Sequence, residues 1–309
     1  RGCGEIQPRI RHICWKSKPV ILSDILVSTE WLEQHLNDNG LRVYDTTVIL
    51  RSNPSEQGYS PESGMAGWEK SHIPGAGFLD LINDLSDQTN AVPFMMPKPQ
   101  EFADLVALQG INQDSFVVLY SVGSPMWATR LWWMLRSIGF DNVAVLDGGW
   151  DKWIAEDRPN TNIFNPYSAG TISADPRPEL WVNKAEMLVA DQKAGWVTIN
   201  ALSPAVYTGE KNQYGRPGHL PGSHNVYYGS VLSPDTGEFL SVPELKSLFK
   251  ASGAFDAERV ITYCGGGISA TVDCLALVKC GQKNIAVYDG SMSEWVQDTE
   301  LELKLGNIP

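Results

Sequence analysis

The chain has 309 residues, enough for two domains that each bury a core of their own. Its hydrophobic content of 43% and aromatic content of 10% are those of a folded globular chain, with no apolar run long enough to offer a membrane span. A formal net charge of −12 without Lys/Arg clusters speaks against nucleic acid as a partner, because phosphate backbones are held by such clusters.

The opening RGCGEIQPRIRHICWKSKP is basic and lacks the apolar core of a secretion signal. Residues 1–22 therefore read as an N-terminal extension, left by leader removal or by a chain boundary. The expected compartment is the cytoplasm, with the periplasm as the alternative if a leader has been removed. Cys3, Cys14, Cys264, Cys274 and Cys280 are too few and too irregularly spaced for a disulfide framework or a zinc site. They fit a reducing environment or thiols kept free for chemistry.

From about Leu26, short apolar runs alternate with stretches of helical period. LRVYD (41–45) reads as a strand, SHIPGAG from Ser71 is a landmark between elements, and FVVLY (116–120) reads as a second strand. SVGSPMWAT then turns into the helical TRLWWMLRSIG, and VAVLD (143–147) is a further strand, followed by GGWDKW. In 158–178, RPNTNIFNPYSAGTISADPRP, the density of Pro, Asn, Ser and Gly removes all periodicity and marks an interdomain linker. Beyond it the landmarks return in the same order: WVTIN (196–200), GHLPGSH from Gly218, RVITY (259–263), an Ala-Thr pair at 270–271, and IAVYDGSMSEW (285–295). Such internal repetition predicts two copies of one α/β domain, 23–157 and 179–309. Each copy is expected to be a parallel sheet flanked by helices on both faces, with functional positions at the carboxyl ends of strands.

One turn stands out chemically. In ITYCGGGISAT (261–271) a strand ends on Cys264, passes three glycines, and feeds a helix from Ala270. Amides of such a turn can form a nest for an anion, and glycine leaves no side chain between them and what they hold. The nest favours a thiolate, the nucleophilic form of cysteine. A buried thiol before an ordinary Gly-rich turn is the competing reading, since free cysteine is among the most buried residue types. The equivalent turn of the first copy has Ser121 and no glycine triplet, so folding alone does not demand the cradle.

HIPGA, RLWWMLRSIGFDNVAVLDGGW, RPGHLPG, YCGGGISAT and VYDGSMSEW, in this order, resemble the tandem-domain rhodanese-like sulfurtransferases, which include thiosulfate and 3-mercaptopyruvate sulfurtransferases. The resemblance implies two rhodanese-like domains, the first catalytically silent. In the second, Cys264 becomes a persulfide cradled by Gly265, Gly266, Gly267, Ile268, Ser269 and Ala270. It implies transfer of sulfane sulfur from a small anionic donor to a thiol or cyanide acceptor, with a thioredoxin-like protein as one acceptor candidate, and no metal or organic cofactor. A rhodanese-fold sulfur carrier fed by a partner protein is the alternative.

The match departs from the family where the donor would be gripped. Thiosulfate specialists carry basic residues after the cysteine, and mercaptopyruvate users a Cys-Gly-Ser-Gly loop; here Gly265 and Gly266 follow Cys264. Leu202 and Thr208 stand where family arginines are common. Arg216 and His72 are the candidates to contact the donor in the cleft, each weighed against a surface cation or a histidine that satisfies backbone groups.

Overall fold

A computed structural model describes residues 25–52 and 59–309. The 1–22 extension, with Cys3 and Cys14, lies outside the described residues. The first half contributes β1 (Leu26–Val27), β2 (Leu41–Asp45), β3 (Val48–Ser52), β4 (Tyr59–Ser63), β5 (Gly77–Phe78), β6 (Phe116–Tyr120) and β7 (Val143–Leu146). Its helices are α1 (Thr29–His35), α2 (Met65–Trp68), α3 (Pro99–Leu108), α4 (Met126–Ser137) and α5 (Gly149–Ala155). The second half contributes β8 (Trp181–Val182), β9 (Trp196–Asn200), β10 (Ser223–Asn225), β11 (Arg259–Tyr263) and β12 (Ile285–Tyr288). Its helices are α6 (Lys184–Met187), α7 (Pro204–Tyr207), α8 (Val242–Phe249), α9 (Ala270–Lys279) and α10 (Ser291–Trp295).

The two five-stranded sheets repeat one another: β1-β7-β6-β2-β5 in the first and β8-β12-β11-β9-β10 in the second, every pairing parallel. Strands β3 and β4 form a separate antiparallel hairpin. The apolar runs sit centrally because a parallel sheet with helices on both faces has two faces to fill. In β6, Val117 and Leu119 enter one core while Val118 and Tyr120 enter the other, the period of two expected of a strand.

Helix α4 is buried at every position except Met126 and Arg136, which makes it an interior helix rather than an amphipathic surface one. It stops at Gly139, whose positive φ of 82° lets its amide and that of Phe140 fold back onto Arg136 O and Leu135 O. The helix packs on α9 of the other half, and the Thr129 and Thr271 hydroxyls, equivalent in the repeat, meet at 2.8 Å. Two equivalent aspartates complete the exchange. Asp147 Oδ1 accepts the Phe239 amide and Asp289 Oδ2 accepts the Met96 amide, each at 2.8 Å. The repeat thus extends to the interface between its copies.

Residues 158–177 contain no helix or strand but are tied along the first half. Tyr167 Oη donates to Gly75 O at 2.6 Å, and the amides of Gly170, Asp175 and Arg177 bond to Ala107 O, Ile138 O and Ser137 O.

Asp45 and Asn200 end equivalent strands and cap equivalent turns: Asp45 Oδ1 accepts the Thr47 amide and Asn200 Oδ1 the Leu202 amide, both at 2.8 Å. Burial raises the Asp45 carboxyl to about 6, outweighing its hydrogen bonds to Thr47. Because the folded state then holds this proton more tightly than the unfolded state, Asp45 makes stability fall as pH rises from about 4 to about 6. In Asp45→Asn, a neutral residue with the same cap, urea unfolding should show a smaller fall across that window and at least wild-type stability at pH 7. An unchanged slope would remove Asp45 as its source.

Candidate active site

Cys264 is the first residue beyond β11, the central strand of the second sheet, and its side chain is buried. Tyr263 anchors the strand end by accepting the Leu220 amide at 3.0 Å. The chain then turns through 265–269 into α9.

The carbonyls of this turn are held from one side. Cys264 O accepts the Met292 amide at 3.1 Å, and Gly265 O accepts both the Ser293 amide at 2.8 Å and Ser293 Oγ at 2.7 Å. Gly267 O accepts Arg130 Nη1 at 3.2 Å. In a planar trans peptide the N–H points opposite to the C=O. The amides of Gly265, Gly266 and Ile268 therefore face away from α10 and Arg130. Together with those of Ser269 and Ala270 they make no hydrogen bond to any described residue. The Gly267 amide is different: with the Cys264 amide it donates to Ser291 Oγ, each at 3.1 Å, so five of the six expected cradle amides remain unspent.

Ser291 itself is strained. Its φ of 50° lies in the left-handed region, where the equivalent residue of the first copy is Gly149 at 57°. A serine held there costs of order 1 kcal/mol. In return its hydroxyl accepts two loop amides and donates to Tyr288 O at 2.7 Å. The three glycines have separate duties. A Cβ on Gly265 would lie 2.1 Å from Tyr214 Oη, and one on Gly267, already at φ 71°, would lie 2.8 Å from Asp289 O. One on Gly266 would meet nothing nearer than Ser293 Oγ at 3.9 Å.

Arg130, from the first half, supports the loop from below and is wholly buried. Its Nη1 pairs with Asp289 Oδ1 at 2.6 Å, its Nη2 donates to Phe94 O at 2.6 Å, and the guanidinium stacks over Trp181 at 4.8 Å. Nothing in the motif spacing announced this role. The available signal was an arginine in the middle of a largely apolar helix, at the position where the second copy has Val272.

The structure places both candidate cleft contacts against backbone carbonyls. His72 is buried, stacks on Trp68, and has its ring nitrogens 2.7 Å from Trp68 O and 3.3 Å from Ile163 O. His219 repeats the arrangement with Tyr207 O and Ile308 O. Both histidines pin the chain that leaves their own sheet. Arg216 donates to Asp298 O at 2.8 Å and Leu301 O at 2.6 Å, so its guanidinium ties down the chain after α10. Of the other cysteines, Cys274 lies 3.1 Å from Thr262 Oγ1 with its thiol pushed up by burial; all described cysteines are free.

The rhodanese-like domain model matches residues 28–156 and 206–298. The chain belongs to the rhodanese-like family. Among curated rhodanese-like relatives, the 3-mercaptopyruvate sulfurtransferase of Escherichia coli K12 is 31% identical over 281 residues, covering 90% of this chain and 97% of the relative. The thiosulfate sulfurtransferase of Cricetulus griseus is 31% identical over 298 residues, covering 92% and 96%. The crystal structure of SseA from Escherichia coli, a 3-mercaptopyruvate sulfotransferase, superposes with a TM-score of 0.75 at 30% identity, over 87% of this chain and 98% of that one. Among the described residues, no helix of this rhodanese-like chain is long and apolar enough to cross a membrane.

Removing one member of a buried ion pair strands the other. Arg130→Met should therefore cost about 3–5 kcal/mol of stability, read as a lower urea midpoint. A loss below about 1 kcal/mol would show that Asp289 and the loop do not depend on the guanidinium.

Proposed function

We propose that the chain is a sulfurtransferase that carries sulfane sulfur from a small anionic donor, thiosulfate or 3-mercaptopyruvate, to a thiophilic acceptor through a persulfide on Cys264. The observation that carries this reading is the loop: a single thiol at the end of the central strand, followed by amides with unspent donors. In the first half-reaction the Cys264 thiolate attacks the donor's outer sulfur. The S–S or C–S bond breaks, and its electron pair leaves with sulfite or with the enolate of pyruvate. The terminal sulfur, now anionic, is the charge that fixed backbone donors stabilise. In the second half-reaction a thiol, a cyanide ion or a thioredoxin-like protein attacks that sulfur, and the Cys264 thiolate departs. Sulfur does all the bond-making, so the cycle calls for no cofactor.

The first copy is the silent partner in this scheme. Ser121 replaces the cysteine, and its hydroxyl donates to Ser124 O at 2.6 Å. Domain limits of 23–157 and 179–309, joined by 158–178, suit this division of labour.

A second reading, a carrier loaded by a persulfidated partner protein, draws support from the missing cations. Leu202 is buried, and the Thr208 hydroxyl donates to Ala205 O at 3.4 Å. Steady-state kcat/KM with each donor, on wild type and Cys264→Ser, separates the two. The transferase reading expects turnover with at least one donor and loss to background in the variant. Background rates with both donors, alongside sulfur uptake from a persulfidated protein, would select the carrier, and activity in Cys264→Ser would contradict both.

A further inference from the structure

The three residues directly after Cys264 are glycines and offer no side-chain proton, so a proton for the leaving group is sought among the side chains that border them. One such group is Tyr214. Its hydroxyl lies against Gly265, close enough that only a glycine fits beneath it. Gln213 Nε2 donates to Tyr214 Oη at 3.2 Å, which occupies the oxygen as an acceptor, and no described residue accepts the phenol's own proton. Tyr228 also borders Cys264, but its hydroxyl lies against Ser124 and Tyr227. Burial, and then the nearby Cys264, hold the Tyr214 phenol well above its ordinary range, so it stays protonated through physiological pH.

The two donors differ in what they need. When thiosulfate gives up its outer sulfur, the electron pair of the S–S bond leaves on sulfite, a stable anion that needs no proton. When 3-mercaptopyruvate does so, the pair of the C–S bond becomes an enolate, which must be protonated at carbon to give pyruvate.

We propose that the Tyr214 hydroxyl supplies this proton and so directs the enzyme toward 3-mercaptopyruvate, an α-keto thiol; the inference rests on the Cys264 persulfide proposed above. The sulfur chemistry balances. Cys264 thiolate and the donor thiol give Cys264–S–SH and the enolate, and the enolate takes the Tyr214 proton. The resulting phenolate recovers a proton from the terminal S–H, leaving the anionic persulfide facing the loop. An enolate carbon is more basic than a phenolate, so even a phenol with a raised pKa transfers its proton downhill.

The test compares wild type, Tyr214→Phe, and Tyr214→Phe combined with Gly266→Ser, on both donors. Position 266 has room for the added hydroxyl, since a Cβ there meets nothing nearer than 3.9 Å. Tyr214→Phe should lower kcat for 3-mercaptopyruvate by about 100-fold, the lower range for loss of a general acid. Its thiosulfate kcat should stay within about twofold of wild type, because no proton is required there. The added serine should recover part of the mercaptopyruvate rate and none of any thiosulfate change. Equal losses on both donors would overturn the inference by making Tyr214 a prop for the loop, and an unchanged mercaptopyruvate rate would overturn it outright. Wild type inactive with both donors would instead bring down the small-donor transferase reading on which the inference rests.

Discussion

The buried guanidinium of Arg130 is the contact on which the arrangement around Cys264 depends. A charge taken wholly out of water is costly unless partners offset it. Here they come from three places: Asp289 and Gly267 O in the second half, and Phe94 O in the first. The Trp181 ring covers its face. Asp289 also accepts the Met96 amide, so one carboxylate joins two segments of the first half to the base of the loop. The repeat matches threonine with threonine and aspartate with aspartate across the interface, but Arg130 has Val272 as its counterpart. The copy that has lost the cysteine has kept a structural hold on the copy that retains it.

That hold explains why a loop of three glycines can be ordered. Glycine loses more backbone freedom on folding than any other residue, so a Gly-rich turn keeps one shape only if something outside it sets that shape. Arg130, Met292 and Ser293 take the carbonyls, and Ser291 takes two amides from a backbone conformation that a serine rarely adopts. Peptide planarity then turns the remaining amides the other way. The glycines contribute the absence of side chains, and α10 and the first half contribute the geometry.

Much of this was legible in the sequence. The repeated landmarks gave two parallel-sheet copies, and a strand ending on Cys264 with a helix starting at Ala270 matches β11 and α9. These features are local, set by strand and helix periodicity over a few residues. Arg130, Ser291 and Tyr214 escaped because each acts on the loop from a distant part of the chain, and pairing between distant segments leaves no spacing to read. The backbone contacts of His72 and Arg216 went unread for a related reason. A histidine before Ile-Pro-Gly or an arginine before Pro-Gly has the same local sequence whether its polar atoms face a cleft or a backbone carbonyl. The unspent amides were anticipated, whereas the capture of the Gly267 amide by Ser291 was not.

Cys264, surrounded by amides and phenols rather than arginines, has a site that suits an anionic sulfur resting on the protein more clearly than it suits gripping an anionic donor. The persulfide is therefore the claim to test first, by intact mass after incubation with 3-mercaptopyruvate or thiosulfate followed by peptide mapping. The expected result is the gain of one sulfur atom, located on Cys264, removed by cyanide and absent from Cys264→Ala. No gain with either donor, or an equal gain on Cys264→Ala, would contradict it.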